Sequence, residues 1–486
     1  MHPREGAVQG GEVLALRQRS AGRTAGRSPT RRGELDVLRA VVVVGLVFFH
    51  SAVIFGAGEF PVKAETEHRL VTVLLAFGAI WGMPLLFTIS GMGTWYSLRS
   101  RGATTFARER LRRLGIPLMV GLLTLVPLQV YLGLRRTGDP GATANFYRRF
   151  WDLRPSLDFP FLLEAAPGGL FETGHLWFLV CLLGFSLVLL PGLRWLQQAR
   201  GQRSVERLAG LLARPGGVLL LAVPLAAVEV PLGSEVGHGG WHHGSYVLFL
   251  VYGFLAAADQ RIGQAFRRQW RPAMALGGLL FVACGAVFAA ASAGGDPLTG
   301  MEPLAVAFRM LKILDGLLWV IAVLGLASSR IARSGTSPAR GRVTAVRRLG
   351  AYLNDAVLPF YVLHETVVVT IAYFFLAWEL APGVQFLLIS TASLVVTLLL
   401  YDLGVRRSPV TRLLLGLKPV RAPARRPRRQ VFVASRLPRN RASMSLARKS
   451  ATASAGRWTI GSPRRLKLVL RTTGTPVWAA KRLISR

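Results

Sequence analysis

The sequence predicts an all-α, polytopic membrane protein with about ten transmembrane helices and both termini in the cytoplasm. Hydrophobic residues make up 51% of the 486 positions, and the mean hydropathy is +0.40. Together these values are not expected of an ordinary soluble domain of this length. The apolar residues also fall into long blocks of membrane-spanning length. The third observation is the distribution of positive charge between those blocks.

Positive charge is unevenly distributed over the connections between the apolar blocks. Alternate connections, together with the two tails, hold 50 of the 60 lysines and arginines, whereas the connections on the opposite side hold seven. The positive-inside rule therefore places both termini in the cytoplasm. The predicted helices lie at about 36–56, 70–96, 114–134, 175–193, 216–232, 244–258, 273–293, 304–327, 353–378 and 384–404.

The chain divides into one membrane domain, predicted at 34–417, and two basic tails at 1–33 and 418–486. From Lys418 onward there are 19 lysines or arginines and no acidic residue. This composition predicts a disordered cytoplasmic segment that is attracted to anionic lipid head groups. No nucleic-acid partner is expected, because the sequence carries no fold signature or motif for one. The predicted location is the cell membrane, with membrane lipid as the surrounding partner.

The first apolar block contains two ionisable residues, Arg39 and His50, at the ends of the stretch RAVVVVGLVFFH. On an α-helix they lie within about 20° of one another around the axis and roughly 16 Å apart along it. Asp36, one turn before Arg39, is placed to pair with that arginine or to orient it. Ionisable residues inside a span are costly and indicate a functional site. Simpler explanations are snorkelling of Arg39 to the interface and a hydrogen-bonded core role for His50.

The ninth block, LNDAVLPFYVLHET, carries a second candidate imidazole, His364. Helix geometry puts His364 and His50 at a similar depth, about 20 Å from the cytoplasmic side. Two imidazoles at one level suggest a shared cavity. Pro359 is able to kink this helix and free a backbone carbonyl, and Tyr361 and Glu365 supply further polar groups.

Small and basic residues mark the predicted cytoplasmic end of the second block. Ser90 and Gly91 lie near the level of Arg39, where a glycine permits close approach of a ligand or another helix. The next stretch, RERLRRLGIP, adds an arginine cluster of the kind that a phosphate-rich ligand needs. An ordinary positive-inside loop explains the same arginines.

Two features are predicted on the side of the membrane opposite the cytoplasm. The connection at about 135–174 is long and rich in acidic and aromatic residues, so it either caps a substrate cavity or forms a folded surface loop. The stretch SEVGHGGWHHGS carries His238, His242 and His243 but has no firm metal-ligand spacing. We therefore predict a glycine-rich turn without a metal site, with sugar contact by Trp241 as the alternative.

The remaining polar residues of the blocks are interpreted as packing or pairing groups. Cys181 and Cys284 lie inside apolar blocks, where packing is a better explanation than a disulfide. Arg309, Lys312 and Asp315 follow one another at three-residue intervals along one face of the eighth helix. They are predicted to pair with one another, and contact with a glycan is the alternative.

The order of several motifs resembles the membrane acyltransferase 3 family. The motifs are LDVLRAVVVVGLVFFHS, LLFTISG followed by RERLRRLGIP, GHLWFLVCLL and LNDAVLPFYVLH, and the resemblance covers about 34–417. It extends to the branch of glucans biosynthesis protein C. In the family the Arg-to-His pair is the signature catalytic element, which corresponds here to Arg39 and His50. Met92 departs from the family pattern, which often has an aromatic residue after ISG.

The resemblance implies an integral membrane O-acyltransferase. Such an enzyme moves an acyl group, here expected to be acetyl or succinyl, from cytoplasmic acyl-CoA to a hydroxyl of an extracytoplasmic glycan or glycolipid. Acyl-CoA is then a co-substrate, and no permanently bound cofactor is expected. The expected contacts of the acyl donor are Arg39, Ser90, Arg99, Arg112 and Arg113. The expected contacts of the acceptor are Asp36, Tyr361, Glu365, His175 and Trp177.

Roles for individual groups follow from their chemistry. An imidazole titrates near neutrality, so His50 is expected to act as general base on the acceptor hydroxyl or to carry the acyl group covalently. His364, Tyr361 or the backbone freed by Pro359 is expected to donate to the developing oxyanion. His364 is therefore the third predicted catalytic residue.

Two other classes of function remain open at this point. A transporter or flippase for a glycan or lipid-linked intermediate also uses buried arginine and histidine, but it moves substrate without consuming acyl-CoA. A membrane scaffold recruited through its basic tail depends on 418–486 rather than on His50. The sequence shows no convincing internal repeat, which weakens the case for a transporter built from duplicated halves.

Overall fold

The protein is an all-α membrane protein, and 77% of the computed structural model is helical. The structure describes residues 30–139, 145–334 and 340–417. The predictions made for the two basic tails concern residues that lie almost entirely outside these ranges. The two cysteines are free and buried, as predicted.

Helices account for nearly all of the described secondary structure. The α-helices are α1 Thr30–Val53, α2 Arg69–Ser100, α3 Ala103–Thr137, α4 Phe146–Phe150, α5 Trp177–Val188, α6 Leu190–Leu196, α7 Ala199–Leu212, α8 Ala222–Leu232, α9 His243–Ala258, α10 Gln260–Ser292, α11 Pro303–Ser334, α12 Arg340–Phe375, α13 Pro382–Leu399 and α14 Pro409–Leu414. Short 3-10 turns are Gly174–Leu176, Gly217–Leu221 and Val236–His238. Helix α3 contains π-helical turns at Leu111–Gly115 and Gly121–Leu125, and another, Leu400–Val405, follows α13. One antiparallel hairpin pairs β1, Leu153–Pro155, with β2, Leu163–Ala165.

Each of the ten predicted apolar blocks coincides with a helix of the structure. Among the described residues, six helices are long and apolar enough to cross a membrane, and the pair α5 and α6, bent by 58°, makes a seventh if it forms one span. Three apolar helical segments are shorter, at Val37–Val53, Gly217–Leu232 and His243–Ala258. The sequence prediction of an all-α membrane protein is therefore confirmed.

The packing of the helices brings α1 next to the elements that carry the other predicted site residues. Helix α1 lies against α2, α12 and α13, and α12 also contacts α3. Helix α9 runs along α2, and α10 runs along α11. Buried apolar residues from these helices form one large core cluster. Residues from α1, α3 and α12 are thereby close enough to share one site.

Two glycines allow α2 and α9 to cross at close range. A Cβ atom built on Gly91 would overlap the backbone carbonyl of Leu250, and one built on Gly253 would overlap the backbone carbonyl of Thr88. Small residues at a crossing let helix backbones approach closely in a membrane. The close approach predicted for Gly91 is therefore made by a neighbouring helix.

Replacement of Gly253 by alanine is expected to destabilise the protein by about 1–3 kcal/mol, because the added methyl forces the two helices apart. A suitable control is Gly45→Ala, since a Cβ there meets no atom within 4 Å. On a helix this control is expected to be neutral or stabilising by roughly 0.5–1 kcal/mol. Thermal unfolding of the two purified variants in the same detergent makes the comparison. Equal unfolding midpoints would contradict the close crossing.

Candidate active site

Four side chains form what we call the buried histidine cluster: His50, His175, His364 and Glu365. His50 lies near the end of α1, and His175 lies in the 3-10 turn that precedes α5. His364 and Glu365 are consecutive residues of α12. Three separate parts of the chain therefore contribute to one polar cluster inside the apolar core.

Glu365 contacts two of the imidazoles. Its Oε2 atom lies 3.2 Å from His50 Nδ1, and its Oε1 atom lies 3.7 Å from His175 Nδ1. The ring centroid of His364 lies 5.2 Å from that of His50 and 5.4 Å from that of His175. The two imidazoles that helix geometry put at a similar depth therefore meet in one cluster.

His175 is held by hydrogen bonds at both ring nitrogens. Its Nε2 atom lies 3.1 Å from the carbonyl oxygen of Val362. A carbonyl only accepts, so Nε2 carries the proton and the Nδ1 lone pair faces the Gln129 amide at 3.4 Å. That amide also donates to Thr366 Oγ1 at 2.6 Å. These bonds make His175 an anchor that joins the α5 region to α12.

One ring nitrogen of His364 is hydrogen-bonded, and the other has no hydrogen-bond partner among the described residues. Its Nδ1 atom lies 2.6 Å from the carbonyl oxygen of Tyr361, so Nδ1 carries the proton. In the neutral ring Nε2 then holds a lone pair, and this atom is buried with no hydrogen-bond partner among the described residues. The Tyr361 hydroxyl donates to the carbonyl of His175. For His364 to donate to an oxyanion, its ring would have to carry a second proton, on Nε2. For Tyr361 to donate, its hydroxyl would have to leave the carbonyl of His175.

His50 is the imidazole that reaches accessible space. Its side chain is 20% exposed, whereas those of His175 and Glu365 are 2% and 6% exposed. The Phe60 ring, from the connection after α1, stacks on His50 at 5.9 Å between centroids. With Glu365 beside Nδ1, the Nε2 edge of His50 is the edge that remains for a substrate. Glu–His contact of this kind orients an imidazole for proton transfer.

A cavity of about 240 Å³ lies between α1, α2, α3, α5 and α12. We call it the arginine cavity, because its lining includes Arg39, Arg101, Arg110 and Arg113. Ser90, Val43, Phe178 and Tyr361 are among its other lining residues. Tyr361 also packs against His364 in the buried histidine cluster, at 5.7 Å between ring centroids. One residue therefore borders both the cavity and the cluster.

The arginines of the cavity are fixed by contacts from other elements. Arg110 donates to Thr94 Oγ1 at 2.8 Å, and Arg113 donates to the Gly416 carbonyl at 3.4 Å. Arg101 forms an ion pair with Glu109, which also lines the cavity. Four guanidinium groups and one carboxylate leave a net positive charge, which suits an anionic ligand.

Sequence reasoning placed some of these residues correctly at the cavity and missed others. Arg39, Ser90 and Arg113 line it as expected, whereas Arg99 and Arg112 are exposed and are not part of its lining. The side chain of Asp36 lies outside the described residues, so its predicted contact with Arg39 is not addressed.

Two further lining arginines were not among the expected donor contacts: Arg101, and Arg110, which belongs to the predicted arginine cluster RERLRRLGIP. Arg110 and Arg113 are three residues apart and share a helix face, a signal that would have selected Arg110 over Arg112. Arg101 precedes α3, so no helical spacing relates it to Arg113 and indicates a place in the cavity lining. Gly93, also missed, lies against the Arg39 guanidinium, since a Cβ there would be 3.4 Å from Nη2.

Comparison with known proteins assigns the chain to a family. The model of the acyltransferase 3 family, described as an acyltransferase domain, matches residues 32–402. The chain belongs to this family. The matched range includes the buried histidine cluster, every lining residue of the arginine cavity and the Arg39 to His50 pair. No curated protein and no solved structure matches the chain.

Family membership makes the protein an acyltransferase of the membrane. It supports the enzyme prediction over the transporter and the scaffold, which were the alternatives left open by the sequence. Within the described residues, His50, His364 and Glu365 also have ligand-type atoms within 4.8 Å of one another. Two imidazoles and a carboxylate at that spacing are able to hold a metal ion, although none of the steps below requires one.

A second polar cluster of the acyltransferase lies in the connection between α8 and α9. We call it the loop histidine cluster, and it consists of Glu235, His238, His242 and His243. Trp177, predicted as an acceptor contact, packs beside it, with its ring 5.5 Å from that of His238. Trp177 is therefore placed with this cluster, apart from the predicted contacts Tyr361 and Glu365.

The predicted pairing of the three charged residues on α11 is wrong. Lys312 binds Glu229 of α8 at 2.8 Å, and Arg309 donates to the carbonyl oxygens of Leu298 and Gly300 at 2.9 and 2.6 Å. Asp315 accepts no hydrogen bond from either cation. Residues three apart on a helix can pair, but here a buried carboxylate on another helix offers Lys312 a closer partner.

Proposed function

We propose that this acyltransferase moves an acyl group, acetyl or succinyl, from cytoplasmic acyl-CoA to a hydroxyl of an extracytoplasmic glycan or glycolipid in the cell membrane. The observation that carries the proposal is the arginine cavity, which borders the buried histidine cluster at Tyr361. Its positive lining suits the phosphates of an acyl-CoA, and guanidinium groups bind phosphate with particular geometric specificity.

The size of the cavity decides which part of the donor enters it. Small-molecule sites commonly have volumes of about 300–1,000 Å³, and this cavity is smaller. We therefore place the acyl-pantetheine arm inside the cavity and the nucleotide over its arginine-rich mouth. Exposed Arg99 and Arg112 are available at that mouth, which retains the role predicted for them.

The proposed topology has ten crossing helices with both termini in the cytoplasm. Support comes from the charge distribution of the connections, which favours a cytoplasmic location for the segment that begins α3 and carries Arg110 and Arg113. His50 follows Arg39 by eleven residues on α1, about 16 Å further along the helix. Such a separation allows a donor and an acceptor to approach from opposite faces.

The chemistry assigned to the cluster is a general-base acyl transfer. His50 Nε2 takes the proton of the acceptor hydroxyl as its oxygen bonds to the thioester carbon. When the tetrahedral intermediate collapses, the carbon–sulfur bond breaks and the departing CoA thiolate takes the proton from the imidazolium. Glu365 positions His50 and stabilises its charged form, while His175 holds the cluster together.

The acceptor is assigned more indirectly. Resemblance to the acyltransferase 3 family supports a sugar hydroxyl as the acceptor, and the connection between α3 and α5 supplies acidic and aromatic groups that suit sugar binding. Glu172 belongs to this connection, and burial followed by the negative charge of Glu59 raises the pKa of its carboxyl. Carboxylate oxygens are able to accept hydrogen bonds from sugar hydroxyls.

The proposal predicts sided use of acyl-CoA. Radiolabelled acetyl-CoA and succinyl-CoA, which do not cross membranes, are supplied to inverted and to right-side-out vesicles that contain their native glycans. Label is expected on a polysaccharide or glycolipid only in inverted vesicles with wild-type protein, and not with matched His50→Ala vesicles. Transfer from right-side-out vesicles alone, or none with either acyl-CoA, would contradict the proposed donor and topology.

Removal of one cavity arginine is expected to weaken donor binding selectively. Arg113→Gln loses a charge-assisted contact, worth about 1.5–3 kcal/mol, and the KM for acyl-CoA should rise about 10- to 100-fold with a smaller change in kcat. Exposed Arg108 is on the same helix but is not part of the cavity lining, so Arg108→Gln is the matched control. An equal rise in KM for both variants would point to general surface charge instead.

A further inference from the structure

We propose that the loop histidine cluster is a binding site for Zn²⁺, held by Glu235, His238 and His243. Glu235 and His238 lie in the short segment between α8 and α9, and His243 is the first residue of α9. Two imidazoles and one carboxylate form a set that zinc binds while keeping a fourth position open. Imidazole ligands favour zinc and neighbouring transition metals over calcium and magnesium.

The distances between the ligand atoms fit one small cation. Glu235 Oε2 lies 3.2 Å from His238 Nδ1 and 3.0 Å from His243 Nε2. Zinc–ligand bonds of about 2.0–2.1 Å in a tetrahedron put neighbouring ligand atoms about 3.3 Å apart. All three atoms lie within 4.8 Å of one another. Only small side-chain adjustments are needed to surround a cation.

His243 supplies an observation that hydrogen bonding inside the cluster does not explain. The residue is 3% exposed, and its buried Nε2 atom lies 3.0 Å from Glu235 Oε2 without the geometry of a hydrogen bond, so no described residue is hydrogen-bonded to it. An unpaired buried polar atom costs free energy, so it needs a partner. A metal ion between His243 and Glu235 provides that partner.

His242 has the position of an orienting residue. Its Nδ1 atom accepts a hydrogen bond from the Gly244 backbone N–H at 3.0 Å, so the proton of the neutral ring is on Nε2. That Nε2 atom lies 3.7 Å from Glu235 Oε1, the carboxylate oxygen that faces away from His238 and His243. Residues in contact with a metal ligand in this way hold it in position.

The backbone of the cluster is held in place before any ion binds. The Tyr246 hydroxyl donates to the His238 carbonyl at 2.6 Å, and the His242 N–H donates to Glu229 at 2.7 Å. The Gly240 N–H donates to the Glu235 carbonyl at 3.0 Å. These hydrogen bonds hold the residues around the proposed ligands in place. They join segments that are not related by sequence spacing, and the sequence prediction was of no metal site. Glu235 itself was not counted as a ligand then.

Charge and access also suit a cation. Glu235 supplies a carboxylate, whose negative charge complements a cation, and its Oε2 atom lies 3.2 Å from His238 Nδ1 and 3.0 Å from His243 Nε2. Glu235 and His238 are 29% and 28% exposed, which leaves a path for entry. The Phe161 ring stacks on His238 at 4.7 Å, so binding would also fix the connection that carries Phe161.

The test is metal binding by the full-length protein in detergent. After removal of metals with a chelator, wild type is titrated with Zn²⁺, and bound zinc is measured by elemental analysis. About one zinc per chain is expected, and Co²⁺ in its place should show the visible absorption of a four-coordinate site. His238 is a half-buried ligand. The substitutions His238→Asn and His243→Asn should each lower zinc affinity by about 100-fold or more. His242→Ala should lower it by about 10- to 100-fold, as loss of an outer partner does.

Two controls make the result decisive. The buried histidine cluster is the competing metal site, so His50→Asn must leave zinc binding unchanged. Each variant is accepted only if it elutes as a monodisperse species with an unfolding midpoint close to that of metal-free wild type. Zinc lost in His50→Asn but kept in His238→Asn would overturn the proposal, and so would a wild type that binds no zinc. Acyl transfer is not needed as a readout, so failure here leaves the proposed function untouched.

Discussion

Replacement of His50 by alanine is expected to reduce kcat for acyl transfer by about 10²- to 10⁴-fold, the usual contribution of a general base. The KM for acyl-CoA should change little, because Arg39, which lines the arginine cavity, lies about 16 Å away along α1. His50 is also the only member of the buried histidine cluster with 20% of its side chain exposed. Its neighbours are enclosed, so His50 is the member of the cluster best placed beside the acceptor.

The measurement is single-turnover and steady-state transfer of labelled acyl groups at matched protein levels. His68→Ala is the control, since His68 is exposed at the start of α2 and is outside both clusters. This control should retain wild-type kcat. Activity of His50→Ala within a few-fold of wild type would remove His50 from the mechanism and leave His364, whose Nε2 atom has no described partner, as the alternative base.

Replacement of Lys312 by methionine is expected to destabilise the protein by about 3–5 kcal/mol, because it leaves a buried carboxylate without its cation. Lys312 Nζ lies 2.8 Å from Glu229 Oε2, and their side chains are 5% and 0% exposed. Lys312 also donates to Ser234 Oγ at 2.5 Å and to the Gly240 carbonyl at 2.8 Å, and it lies over the Trp241 ring. Loss of one side chain therefore disturbs the whole connection between α8 and α9.

Thermal unfolding in detergent at a fixed heating rate measures this loss. The double variant Glu229→Gln with Lys312→Met should recover much of the stability, since an amide keeps hydrogen bonds to the His242 N–H and Ser245 without a charge. Arg406→Ala breaks an exposed pair with Asp402 and should cost no more than about 1 kcal/mol. A single variant at Lys312 as stable as this surface control would show that the buried pair does not hold α8 against α11.

The helices could be predicted because their positions depend on local composition. Each of the ten apolar blocks is a helix, since a long apolar run in lipid must satisfy its backbone within the segment. Helix geometry also relates residues on one element, which is why the common face of Arg39 and His50 and the similar depth of His364 were accessible. Arg110, a member of the predicted arginine cluster, was not selected as a donor contact, although the same geometry relates it to Arg113.

Contacts between distant segments could not be obtained in this way. Lys312 was expected to pair with Arg309 or Asp315 within α11, yet its partner Glu229 is 83 residues away. Gly91 faces a neighbouring helix, while Gly93 is the glycine beside Arg39. The partner of Lys312 and the glycine beside Arg39 cannot be read from neighbouring residues in the sequence. Both contacts depend on how the helices are rotated against one another.

In this acyltransferase the membrane class, the positions of the helices and the Arg39 to His50 pair could be obtained from the sequence, because hydropathy and helical periodicity act over a few turns. The family also follows from the sequence alone. Tertiary structure decided that Glu365 contacts His50, that Tyr361 joins the arginine cavity to the buried histidine cluster, and that Glu235 completes the loop histidine cluster. Such contacts arise when separate helices and loops pack, and their energies depend on burial and distance rather than on order along the chain.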